Sequence, residues 1–113
     1  MTNQALPAEI DVKSVKQLRD QGEAITLLDV REPGEIATAA IEGTVRIPMQ
    51  QIPTRLSELE PHKNQRIVVH CHHGGRSARV QAWLQQQGYT QVQNMTGGID
   101  AWSLEVDPSV PRY

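Results

Sequence analysis

The chain has 113 residues, 38% of them hydrophobic and 21% charged, which is enough for one ordinary domain and too apolar for a disordered one. Eleven Lys and Arg against thirteen Asp and Glu give a net charge of −2, which excludes a whole-domain attraction for nucleic acid or an anionic membrane. A single cysteine excludes an internal disulfide and a multi-cysteine zinc site, so it can act only as a lone thiol.

The opening segment, MTNQALPAEI, has neither the basic start nor the apolar run of a leader, and no run of about eighteen apolar residues follows. A cytoplasmic protein without membrane contact is expected. After a short stretch around Ile10, Asp11 can cap a helix whose Val12, Val15 and Leu18 share a face, with Gly22 as the stop. AITLLDV, residues 24–30, reads as a strand buried on both faces. Pro33 is placed to open a short helix, Gly43 to turn the chain, and TVRIP, residues 44–48, to form a strand. Pro53 is expected to start a helix carrying Leu56 and Leu59, and PHKNQ to be a polar loop.

RIVVH, residues 66–70, is the clearest strand, and Ser77 to Gln87 reads as a helix with Val80, Trp83 and Leu84 on one face, closed by Gly88. TQVQNM gives a last strand, GGIDAW opens a last helix, and residues 106–113 are expected as an irregular tail on a core of about residues 10–105. No repeat or linker divides the chain, so one domain over residues 1–113 is expected. Strands alternating with helices predict an α/β fold with a mostly parallel sheet, whose sites lie beyond the carboxyl ends of its strands. LLDVRE and VVHC both deliver polar residues there.

Between the strand RIVVH and the next helix, residues 71–76 make a short turn into a helix N-terminus, where free amides and the helix dipole favour an anion and lower a thiol pKa. Gly74 and Gly75 would let the backbone take positive φ and curl its amides inward, and no acid lies between His70 and Arg79 in sequence. A lone cysteine is more often a small buried hydrophobe, but this setting favours Cys71 as a thiolate nucleophile.

The motifs LLDVREPGE at 27–35, GTVRIPM at 43–49, IVVHCHHGGRSARV at 67–80 and MTGGIDAW at 95–102 occur in family order, and with them the chain resembles the rhodanese-like sulfurtransferases from about Ile10 to Tyr113. The tail is most similar to sulfurtransferase domains fused to adenylating enzymes of cofactor synthesis. The resemblance implies a central five-stranded parallel sheet flanked by helices on both faces. It also implies that Cys71 carries sulfur as a persulfide, taken from a donor such as thiosulfate and passed to cyanide or a thiol, with no cofactor. The partners it implies are a small sulfur donor, a thiol acceptor and a sulfur-relay protein. Related phosphatases and arsenate reductases place five residues between cysteine and arginine. Here only His72, His73, Gly74 and Gly75 separate Cys71 from Arg76, which favours sulfur transfer. A carrier or redox-sensing module that turns over small donors poorly is the alternative from another class.

Arg76 can bind a sulfonate or pair with Asp29 or Glu32 to fix the loop. His72 and His73 either steer anions or are solvated loop polarity. Ser77 can donate to the sulfur, cap the helix, or do both. Asp29 and Arg31, with Glu32, are expected to support the site as an ion-pair scaffold. His70, Cys71, His72 and His73 invite a metal reading that adjacent residues on a tight turn disfavour, so no metal is expected. Gly97 and Gly98 lack a phosphate-loop ending, and Trp83 and Trp102 are expected in the core. Many relatives carry Gly-His-Ile-Pro-Gly-Ala where this chain has AAIEGT, so Ala40 replaces a histidine, with an expected effect on the mouth of the site.

Overall fold

The structure is a computed structural model that describes residues 6–113, so the first five residues of the segment read as lacking a leader lie outside it. Five strands form one sheet: β1 (Glu9–Ile10), β2 (Ile25–Asp29), β3 (Val45–Arg46), β4 (Arg66–His70) and β5 (Val92–Met95). Their order is β1-β5-β4-β2-β3, and every pairing is parallel. The helices are α1 (Val12–Asp20), α2 (Pro33–Thr38), α3 (Gly75–Gln86) and α4 (Gly98–Glu105).

Alternation along the central strands builds two cores. Leu28, Ile67 and Val69 face Val80 and Leu84 of α3, together with Ile52 and Leu59. Leu27 and Val68 face Val12 and Val15 of α1 and Ile99 and Trp102 of α4. Helices therefore cover both faces, as continuous apolar strands require.

Local chemistry sets the element ends. The Asp11 side chain accepts from the Ser14 amide at 2.7 Å, and Gly22 leaves α1 at φ 72°. α3 begins at Gly75, two residues before the expected Ser77, because Gly75 already has an ordinary helical backbone. The helix expected from Pro53 is replaced by 3-10 turns at Leu56–Glu58 and Glu60–His62. Pro61 has no amide to bond back to Ser57, so an α-helix cannot propagate through it. Trp102 is in the core as expected, but Trp83 is only half buried, beside Met49 and Ile52 at the edge of α3.

The register of β2 with β4 runs from Ile25 against Arg66 to Asp29 against His70, so both central strands end at one level. Their next residues, Val30 and Cys71, start the site. Arg31 folds back on Asp29, its Nε donating to Oδ1 at 2.9 Å and its Nη2 to Oδ2 at 2.6 Å, with both side chains fully buried. This bidentate pair neutralises two charges that neither the sheet nor α2 could hold alone. Arg31→Leu leaves Asp29 buried without its cation and is expected to lower the unfolding free energy by about 3–5 kcal/mol in chemical denaturation.

Candidate functional site

β4 delivers His70 into the sheet and Cys71 just beyond it. Gly74 then turns the chain at φ 116°, and α3 follows at once. Gly74 alone supplies the left-handed conformation; Gly75, expected to share it, does not. The turn aims its donors at sulfur. The Gly74 amide lies 3.1 Å from Cys71 Sγ and the Ser77 amide 3.4 Å. The Ser77 hydroxyl lies 3.3 Å from the same atom.

Cys71 is 1% exposed, and burial pushes its thiol up. The Ser77 hydroxyl and the amides of Ser77, Gly74 and Arg76 outweigh that penalty, so the thiol sits below its ordinary value. A hydroxyl carries one proton, and Ser77 Oγ also donates to Asn94 Oδ1 of β5. Asn94 is oriented by its Nδ2, which donates to Glu9 at 3.0 Å and to the Gly74 carbonyl at 3.3 Å. The Ser77 proton is thus contested between sulfur and amide.

A second helix start holds the turn from behind. The Ile99 and Asp100 amides of α4 donate to the carbonyls of Cys71 and His72 at 2.9 and 3.1 Å. Gly98, at φ 60°, permits this approach, because a Cβ there would collide with those same carbonyls. This is the work of the GG pair in GGIDAW.

Arg76 pairs neither with Asp29 nor with Glu32. Its two terminal nitrogens donate to Glu35 of α2 at 2.6 and 2.8 Å. Glu32 contributes indirectly, its amide donating to Glu35 Oε1 at 3.1 Å. Arg76 holds the Glu35 carboxyl down to about 2, with help from the Tyr113 hydroxyl. Because the folded value is lowered, this pair stabilises the fold fully above the ordinary carboxylate range and stops doing so as the pH falls toward 2. The Tyr113 hydroxyl donates to Glu35 Oε2 at 2.7 Å and accepts from Arg31 Nη1 at 3.1 Å.

His72 is sandwiched between His73 and Tyr113, with ring centroids 3.9 Å apart in each pair. His73 is exposed and lies 3.8 Å from Asp100, so the acid-free stretch in sequence is flanked in space by Glu35 and Asp100. Ligand atoms of His72, His73 and Asp100 lie within 4.8 Å of one another, but the Asp100 carboxylate is already engaged by Arg112 at 2.8 Å. His70 is buried 3.6 Å from Asp29, and burial lowers its pKa to about 4, so it is neutral near pH 7. Ala40 lines a cleft with Arg19, Trp102 and Val110. No helix among the described residues is long and apolar enough to cross a membrane.

Glu35, Asn94, Gly98 and Tyr113 are the site's residues that the sequence reading missed. Glu35 had a signal, its position one turn into a Pro-started helix beside LLDVRE. Tyr113 had none.

The sequence model of the Rhodanese-like domain family matches residues 11–105. A protein named sulfurtransferase from Allochromatium vinosum is 42% identical over 90% of this chain and 94% of its own length. A chloroplastic rhodanese-like and PpiC domain-containing protein of Arabidopsis thaliana is 48% identical over 77% of this chain, which spans only 30% of that protein. Among solved structures, a rhodanese-like domain protein from Staphylococcus aureus superposes with a TM-score of 0.80 at 28% identity, covering 95% of this chain and 99% of its own.

Ser77→Ala is expected to raise the pH midpoint for Cys71 alkylation by iodoacetamide by about one unit, the effect of one hydrogen bond to a charged group. An unmoved midpoint would mean that the hydroxyl proton stays on Asn94.

Proposed function

Because the chain belongs to the rhodanese-like domain family, we propose that it is a sulfurtransferase that moves sulfane sulfur from a donor such as thiosulfate to a thiol, or to cyanide in an assay, through a persulfide on Cys71. The observation that carries this reading is the set of donors from Gly74 and Ser77 converging on Cys71 Sγ. They favour the sulfur as an anion, and a thiolate attacks without a separate base.

The Cys71 thiolate attacks the outer sulfur of thiosulfate and forms a sulfur–sulfur bond. The bond to the sulfonate breaks, and sulfite leaves with its electron pair, so the negative charge passes to the terminal sulfur of the persulfide. A thiolate or cyanide then attacks that terminal sulfur, and the thiolate of Cys71 is regenerated. The amides that hold the thiolate also lie beside the persulfide, so the charge stays within reach of fixed donors throughout.

Arg76 has both terminal nitrogens on Glu35, so its part in this reading is a positive charge beside the turn and not a free fork around a sulfonate. His72, His73, Gly74, Gly75 and Ser77 complete the substrate-binding turn, and Asp29, Arg31 and Glu32 support it from the sheet end. Four residues between Cys71 and Arg76 make a cradle suited to a sulfur atom and small for a phosphoryl group. A reducing compartment such as the cytoplasm suits a free nucleophilic thiol. A protein of a sulfur relay is a fitting acceptor or donor in place of the small molecules.

Intact mass after exposure of the reduced protein to thiosulfate is expected to rise by one sulfur, to return on addition of cyanide, and to stay unchanged in Cys71→Ser. No gain with thiosulfate, but a gain with a protein persulfide, would turn the reading to a carrier that works only with protein donors.

A further inference from the structure

The last residue of the chain belongs to no helix or strand, yet it touches three separate parts of the site. Tyr113 is 39% exposed, so packing alone does not account for its position. The tail that brings it is tied down: Val110 is buried, its carbonyl accepts from Ser103 of α4, and Arg112 pairs with Asp100.

At the end of that tail the phenol links a fixed group to a loose one. Arg31, which donates to the hydroxyl, is locked by the buried pair with Asp29. Glu35, which accepts from it, sits on a six-residue helix that buries none of its side chains. Packing therefore does little to hold Glu35 in place: Arg31 Nη1 donates to its backbone carbonyl at 3.3 Å, and the position of its carboxylate is set by bonds to Arg76, the Glu32 amide and Tyr113. The Glu35 oxygen that Tyr113 grips is the one that Arg76 Nη2 bonds. The ring is fixed as well, stacked on His72 at 3.9 Å and 8°.

We propose that Tyr113 is a positioning residue, which through Glu35 holds the Arg76 guanidinium against the turn so that its charge serves anions approaching Cys71. This rests on the reading of Arg76 as the positive charge beside the reactive sulfur. It predicts that losing the hydroxyl weakens attraction for anionic reagents and leaves neutral ones unaffected, which a general loosening of the fold would not do.

The test compares alkylation of Cys71 by iodoacetate, which is anionic, and by iodoacetamide, which is neutral, in the parent, Tyr113→Phe, Arg76→Gln and the double variant. Tyr113→Phe keeps the ring and removes only the hydroxyl, and circular dichroism checks the fold of each. The ratio of iodoacetate to iodoacetamide rate is expected to fall about fivefold in Tyr113→Phe, with the iodoacetamide rate unchanged. It is expected to fall at least as far in Arg76→Gln and no further in the double variant. A ratio unaltered by Tyr113→Phe overturns the proposal, as does an equal fall when Arg76 is already absent. A parent Cys71 that iodoacetate does not label also overturns it. Alkylation needs no sulfur transfer, so a protein that fails to take sulfur from thiosulfate contradicts the functional reading and leaves this comparison intact.

Discussion

A sulfur anion inside a protein is tolerable only where donors replace the water it has lost. Cys71 is buried, and on burial alone its thiol would stay protonated. The turn reverses that preference because a strand ends one residue before the cysteine and a helix begins four residues after it. Those two facts put the amides of Gly74 and Ser77, at the start of α3, around the sulfur, and the Ser77 hydroxyl joins them. The carbonyls of the same turn point the other way, where the amides of α4 take them. Two helix starts thus share one loop, one facing its sulfur and one its backbone oxygens.

Around this core lies a layer of charge that extends from the sheet to the surface. Asp29 and Arg31 form its buried end, Glu35 and Arg76 its outer end, and the Tyr113 hydroxyl joins them. The buried end costs desolvation and is stable only as a pair. The outer end is partly solvated, so its strength comes from geometry: a bidentate fork and a carboxylate fixed from three directions. The sheet explains why they meet, since parallel register brings the ends of β2 and β4 to one level.

Much of this was legible in the sequence, wherever the signal is local. Apolar runs marked β2 and β4, Asp11 marked the start of α1, and the glycines at 22, 43 and 88 marked turns that the backbone takes at positive φ. The Cys71 turn could be read because strand, diglycine and helix are contiguous. What failed was non-local or hung on one backbone detail. Arg76 found Glu35 across forty-one positions in preference to Asp29 and Glu32 at the strand end, because α2 swings its carboxylate over the turn. Asp100 and Tyr113 reached the histidines through chain return that no spacing rule describes. The segment after Pro53 has helical spacing of leucines, but Pro61 removes the amide that would continue it.

The claim on which the rest stands is that the folded turn makes Cys71 a better anion than a free thiol, despite its burial. The direct measurement is the ultraviolet absorbance of the thiolate followed against pH in the native protein, with Cys71→Ser subtracted and the unfolded chain as reference. The account predicts a native midpoint below that of the unfolded chain. It also requires the stability contributed by the ionised thiol to be complete above the unfolded midpoint and lost as pH falls through the native one. A native midpoint at or above the unfolded one would contradict it, and Cys71 would then be a small apolar side chain that happens to lie at the end of β4.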